Sequence, residues 1–396
     1  MPANEPQPRR IYLDNAATSW PKPPSVYEAM DRYAREIGAP TGRSAYRHAA
    51  DAERIVETTR GKLARLIGCS DPASVIFAFN GTDALNMAIH GVLRPGDHVV
   101  TSDAEHNSVL RPLAELRRRI GLEVSYVPVD AEGYFSPDDV LAEVHPATRL
   151  VALIHASNVT GAVQPVEEVG RRLADRPTLL LVDAAQSLGH RPVRIDELQA
   201  DLLAAPGHKG LLGPLGTGVL YIRRDAADQV ASFRQGGTGT VSEQEDHPPS
   251  LPHKFEAGNH NMHGLAGLGA ALDYLLDSDR IQTIHAQEQD LVDRLVAGLG
   301  DVSGISVCGS RSGVRPRVGV VSFTAQGYDP QDFAAMLDTS AGIQSRAGLH
   351  CAPRMHRSLG TLATGGTVRL SVGHATIQED IDTVLEAVRQ LMAAAI

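Results

Sequence analysis

Only four of the chain's 37 basic residues are lysines, and one of them, Lys209, opens a glycine-rich turn in Pro206-Gly207-His208-Lys209-Gly210. Arginine keeps its charge at every accessible pH, so a lysine retained in an arginine-rich chain points to chemistry that needs an amine able to lose its proton. The other three have bland settings: Lys22 lies among prolines, Lys62 in a polar helical stretch and Lys254 in a Pro- and His-rich loop. Upstream of Lys209, the apolar run Thr178-Leu179-Leu180-Leu181-Val182 reads as a buried parallel strand ending at Asp183. An acid at the carboxyl end of such a strand faces the ligand crevice of a doubly wound sheet. The interval to Lys209 holds a crossover and one further strand, so both side chains can reach one pocket. A carboxylate that pairs with a protonated ring nitrogen, beside a lysine that forms a Schiff base, is the combination pyridoxal 5'-phosphate (PLP) requires. A surface lysine and a helix-capping aspartate are the plain alternative.

Other strand ends carry further candidates. Asn80-Gly81-Thr82 closes a strand and opens a helix, which places amide N–H groups and the Thr82 hydroxyl to bind an anion such as phosphate. His106, in Glu105-His106-Asn107-Ser108, can stack on an aromatic cofactor or move protons near neutral pH. Asn158 can donate to a cofactor oxygen, or serve as an ordinary turn residue. Cys351 lies in Arg346-Ala347-Gly348-Leu349-His350-Cys351-Ala352, where the neighbouring Arg346 and His350 would favour a thiolate; a small apolar residue is the competing reading. Arg369 alternates with apolar neighbours on a strand and can grip a carboxylate with two N–H groups. Gly213-Pro214-Leu215-Gly216-Thr217 lacks the lysine of a phosphate-binding P-loop, and Gly264 to Gly269 fall in a helical pattern, so neither supports a nucleotide cofactor.

The elements that must position these residues alternate. Strands are expected at 74–79, 98–102, 123–129, 149–155, 178–183, 201–205 and 218–222, with helices at 25–37, 49–67, 82–92, 108–120 and 166–174. That alternation defines an α/β chain with a mainly parallel sheet covered on both faces. Residues 235–261, rich in Gly, Pro and His, read as a functional loop. From about 265 the pattern changes to long helices with strands at 318–323, 342–346 and 367–372 and a closing amphipathic helix at 378–392, a smaller α+β domain.

The 396 residues and 42% hydrophobic content suit a large core, and a formal charge of −10 without a basic stripe argues against a nucleic-acid partner. No run of apolar residues is long enough to span a membrane, and the proline-rich first eight residues do not resemble a signal peptide, so a cytoplasmic protein is expected. Three scattered cysteines form neither a disulfide framework nor a metal site, and Cys69 and Cys308 read as structural.

Together these segments resemble the class V aminotransferase-like family of fold-type I PLP enzymes, and within it the cysteine desulfurases of the longer, SufS-like group. The similarity runs from Tyr12-Leu13-Asp14-Asn15-Ala16-Ala17-Thr18 through Gly207-His208-Lys209 and Phe255-Glu256-Ala257-Gly258 to the Cys351 segment and Arg369. The resemblance implies a fold-type I homodimer with a seven-stranded PLP-binding domain over 26–265 and a small domain built from 1–25 and 266–396. It makes Lys209 the Schiff-base lysine, Asp183 the partner of the pyridine nitrogen and Gln186 the neighbour of the phenolic oxygen. It stacks His106 on the ring, sets Asn158 beside the cofactor, and assigns the phosphate to Thr82, His208 and, from the partner subunit, Asn259. Arg369, Arg346 and Asn15 would bind substrate and Cys351 would accept sulfur from L-cysteine, for delivery to an acceptor protein or small molecule. Selenocysteine or C–S lyases and other class V activities stay open. The sequence departs from the pattern at Pro206, where a hydroxyl residue is usual, and at Asn259, where threonine is usual.

Overall fold

The computed structural model describes residues 10–42, 45–241, 243–310 and 315–394. The proline-rich leader, residues 1–8, lies outside them. The central element is a seven-stranded sheet in the order Val75–Ala78, Gly218–Ile222, Leu202–Pro206, Leu179–Asp183, Thr148–Ile154, His98–Ser102, Glu123–Val127. All neighbours run parallel except Gly218–Ile222, which is antiparallel to both of its partners. Leu179–Asp183 and Leu202–Pro206 are buried along their whole length, as Leu- and Ala-rich strands covered on both faces must be. Because these strands are parallel, their carboxyl ends bring Asp183 and the turn after Pro206 to one edge of the sheet.

Helices cover both faces. Gly81–Val92 and Asn107–Ile120 pack on one, and Arg47–Ile67 with Met262–Leu275 on the other. The sequence reading of a single helix over 25–37 becomes the α-helix Pro24–Arg32 followed by a π-turn, Tyr33–Ile37, that ends at left-handed Gly38. Met262–Leu275 spans residue 265, where the two expected domains meet. Its buried Leu265, Leu268, Leu272 and Leu275 join the core of the large sheet, so this helix belongs with that sheet.

A second, antiparallel sheet has the order Arg346–Gly348, Thr367–Ser371, Val320–Ala325, Ile305–Cys308 and packs against Arg280–Gly300 and Gln378–Ala393. The N-terminal strand Ile11–Tyr12 pairs in parallel with Ile343–Gln344. Asp14 then bridges to Ser371, and the following residues turn toward the large sheet. No helix among the described residues is long and apolar enough to cross a membrane.

Candidate active site

A small cavity of about 90 Å³ opens at the carboxyl ends of the parallel strands, lined by Thr82, His106, Asn158, Asp183, Gln186, His208 and Lys209 together with Asn80, Ser108 and Pro206. Seven residues expected from sequence thus meet in one place. Asp183 ends its strand in register with Ile154 and Ala204, and its Oδ1 accepts the Ala185 amide at 2.9 Å. Burial raises the Asp183 carboxyl while the Lys209 ammonium pulls it back down. Loss of solvent lowers the Lys209 amine to about 8, opposed by Asp183 and aided by Arg369 and Arg346, so the amine gives up its proton far more readily than an exposed lysine.

Lys209 sits on a turn that is held chiefly through its backbone. The Gly207 amide donates to Thr217 O at 2.8 Å, and the Gly213 amide to Gly207 O at 2.7 Å. From the other side the His208 carbonyl accepts the Ser19 amide, the Thr18 hydroxyl and the Lys22 ammonium at 3.1, 3.1 and 2.8 Å. Lys22, bland in sequence, is therefore a buttress of the lysine turn, and burial lowers it to about 8.

The anion corner is built at the start of Gly81–Val92, where Asn80 caps the helix by accepting the Asp83 amide at 2.9 Å. Pro206 packs onto this end: a Cβ built on Gly81 would lie 3.1 Å from Pro206 Cδ. Proline supplies shape here and no donor. The Thr82 hydroxyl lies 2.7 Å from Ser108 Oγ, which lies 2.9 Å from His106 Nδ1. Burial and the Lys209 and Arg369 cations lower His106 to about 4, and burial with Lys209 and Lys22 does the same for His208, so both imidazoles are neutral.

The residues fit PLP. Asn158 Oδ1 and His208 Nδ1 are buried at the cavity without a protein partner, and Asp183 is a buried acid facing a lysine, which suits a cationic ring nitrogen.

Arg369, Arg346 and Cys351, expected to serve substrate and sulfur, flank this cavity without lining it. Arg369, buried, donates to Asp14 Oδ1 at 2.9 Å and to Asn158 O at 3.1 Å, and Arg346 stands opposite it in strand register. Two guanidiniums outweigh the single charge of Asp14, which favours a second carboxylate between them. Cys351 is exposed on a turn tied to the cavity: Asn158 Nδ2 donates to His350 O at 2.6 Å and the Asn107 amide to Cys351 O at 2.7 Å.

One expectation changes. The Asn15 amide is spent on Ser371 O and Tyr12 O, at 2.9 and 3.3 Å, and its oxygen accepts the Trp20 amide, so it shapes the N-terminal segment and has no donor left for substrate. Asn259 lies in a separate recess with Phe79, Gly216 and Arg234, away from its own chain's Lys209. Sequence reasoning missed Ser108 and Lys22, and it passed over Glu105. Glu105 is fully buried beneath the site with no cation beside it among the described residues, its Oε1 accepting the Ser102 hydroxyl at 2.6 Å and the Ile154 amide at 3.0 Å.

Residues 11–384 match the family model described as aminotransferase class V. The chain belongs to that family. Among curated proteins it is 38% identical over 384 residues to a probable cysteine desulfurase of Methanothermobacter thermautotrophicus, covering 96% of this chain and 94% of the relative. It is 36% identical over 390 residues to another of Pyrococcus abyssi, covering 96% and 94%. Among solved structures it superposes on the apo cysteine desulfurase of Thermococcus onnurineus with a TM-score of 0.90 at 34% identity, over 97% of this chain and 95% of that one.

Proposed function

We propose that this protein is a PLP-dependent cysteine desulfurase, which converts L-cysteine to L-alanine and leaves the substrate sulfur as a persulfide on Cys351. The activity agrees with the relatives throughout the chain's length. The observation that carries the role of Cys351 is its turn, hydrogen-bonded to Asn107 and Asn158 at the rim of the lysine cavity. That turn keeps an exposed thiol beside the residues that activate the substrate.

Bound PLP supplies an electron sink for negative charge at the substrate Cα. Asp183 would hold the pyridine nitrogen protonated, Gln186 would serve the phenolic oxygen, and Thr82 and His208 would hold the phosphate with the first amides of helix Gly81–Val92. Arg369 and Arg346 orient the substrate carboxylate. Lys209, with its amine lowered to about 8, takes the Cα proton. The Cys351 thiolate attacks the substrate sulfur, so the S–S bond forms as the C–S bond breaks and its electron pair stays on carbon. Protonation of that carbon and return of a proton from Lys209 to Cα complete alanine, with His106 poised to hold a proton at Nε2. The persulfide passes to an acceptor protein or small molecule.

The enzyme works as a homodimer. Phe79, Leu215 and Phe233 are exposed, and Phe79 borders the Asn259 recess, a surface that a second copy would cover while bringing Asn259 to the neighbouring phosphate. We place the domain division after Met262–Leu275, leaving the small domain to the N-terminal strand and the chain beyond that helix, and we place the enzyme in the cytoplasm.

The test incubates the protein with L-cysteine and follows alanine and protein-bound persulfide together. Both should appear in wild type, and Cys351→Ala should lose both. If Cys351→Ala released alanine at the wild-type rate with no persulfide on the protein, a C–S lyase would replace this reading.

A further inference from the structure

His350 and Cys351 both adopt left-handed backbone, with φ of 47° and 58°. A non-glycine residue holds that conformation only where its surroundings impose it, and two in succession need firm anchors. The bonds to the His350 and Cys351 carbonyls anchor the turn from one side. The anchor on the other side is Arg354, in the short helix Pro353–Ser358, whose Nε donates to Asp103 Oδ1 at 2.6 Å. Ser358 Oγ reaches the other Asp103 oxygen at 3.3 Å, and the guanidinium lies 3.7 Å over the ring of Tyr126. Asp103 directly follows strand His98–Ser102, three residues before His106, and its amide is fixed on Val127 O at 2.9 Å. Beneath the pair, Ala352 and Met355 pack with Ala104, Ile154 and Val159.

We infer that Arg354 is a positioning residue for sulfur acceptance, latching with Asp103 the Cys351 turn onto the turn that carries His106. The inference rests on Cys351 being the sulfur acceptor. Thiolate attack tolerates little error in position, and a displacement of about 1 Å can cost 10²-fold in rate, so a turn in a strained conformation needs fixing on both sides. The pair is partly exposed, at 31% and 19% for Arg354 and Asp103, so its worth lies in placement and its contribution to global stability is small.

The test compares Arg354→Gln, Arg354→Lys, Asp103→Asn and the double variant as holoenzymes. Amide exchange over residues 349–358, measured without substrate, should quicken about tenfold in Arg354→Gln with the rest of the chain and the melting temperature unchanged. Its kcat for L-cysteine should fall about tenfold at constant KM, since Arg369 still binds the carboxylate. Arg354→Lys should recover part of both, and the double variant should be no worse than either single one. Wild-type exchange and kcat in Arg354→Gln, alongside an inactive Cys351→Ser, would overturn the latch and leave Cys351 standing. A fully active Cys351→Ser would instead remove the role of Cys351, and the exchange measurement would still decide whether the latch exists.

Discussion

Ser108 holds His106 by two bonds at one atom: its main-chain N–H lies 3.0 Å from Nδ1 and its hydroxyl oxygen 2.9 Å from the same nitrogen. A nitrogen that accepts a backbone N–H carries no proton itself, so the neutral imidazole bears its hydrogen on Nε2. Nitrogen-15 spectra should show His106 as the Nε2–H tautomer, charging only as the pH falls toward about 4. A His106 that titrated above pH 6, or carried its proton on Nδ1, would remove it as a neutral donor at the site.

Under the proposed function, Asp183 is the buried charge that would answer a protonated ring nitrogen. Asp183→Asn keeps the shape and loses the charge. Turnover of L-cysteine should fall by about 10²-fold or more, the scale of losing one preorganised electrostatic partner. The fold should survive, because the Oδ1 bond to the Ala185 amide can be kept by an amide oxygen. Near-normal turnover in this variant would show that the ring needs no anionic partner.

Glu105 is buried without a counter-ion among the described residues, and desolvation lifts its carboxyl from 4.5 to about 8, with a further push from Asp183. The folded protein therefore binds a proton that the unfolded chain releases across that interval. The contribution is fully present below pH 4.5 and declines as the pH rises to about 8. Glu105→Gln, neutral at every pH, should lose less stability than wild type between pH 5 and 8. Parallel melting curves for the two proteins over that range would refute the assignment.

Glu256 shows the opposite sign. Its carboxylate takes Arg60 at 2.7 and 2.9 Å and the Phe77 amide at 2.7 Å, and despite burial these bonds with His260 hold it at about 2. Its contribution is present above pH 4.5 and declines as the pH falls toward about 2. Glu256→Ala leaves buried Arg60 only the exposed Glu57, at 3.7 Å, and the Val75 carbonyl as partners and should cost about 3–5 kcal/mol in denaturant unfolding. A loss below about 1 kcal/mol would mean that water enters and repairs the gap.

The parts of this molecule legible in its sequence are those set by local pattern. Strands 98–102 and 218–222 fall where Val- and Leu-rich runs place them, and most other ends shift by a residue or two. The cavity followed from the same logic, because parallel strands must deliver residues at their carboxyl ends to one edge. Contacts between distant segments were not legible. Lys22 looked idle because its acceptor, His208 O, is 186 residues away. Ser108 looked like a helix-start residue, and only the fold brings Thr82 to its hydroxyl. Asn15 sits in a motif that suggests substrate, yet the backbone of the two chain ends consumes its amide.

The pairing of Ile11–Tyr12 with Ile343–Gln344, and of Asp14 with Arg369, sets a timetable for assembly. The segment that buttresses the lysine turn is made first, yet it can be seated only after residues 343–371 have been synthesised. The large sheet, complete by Ile222, can form earlier with its lysine in place and its support missing. Newly made chains should thus pass through an interval in which the cofactor pocket exists in outline but grips weakly, and maturation ends when head and tail of the polypeptide meet.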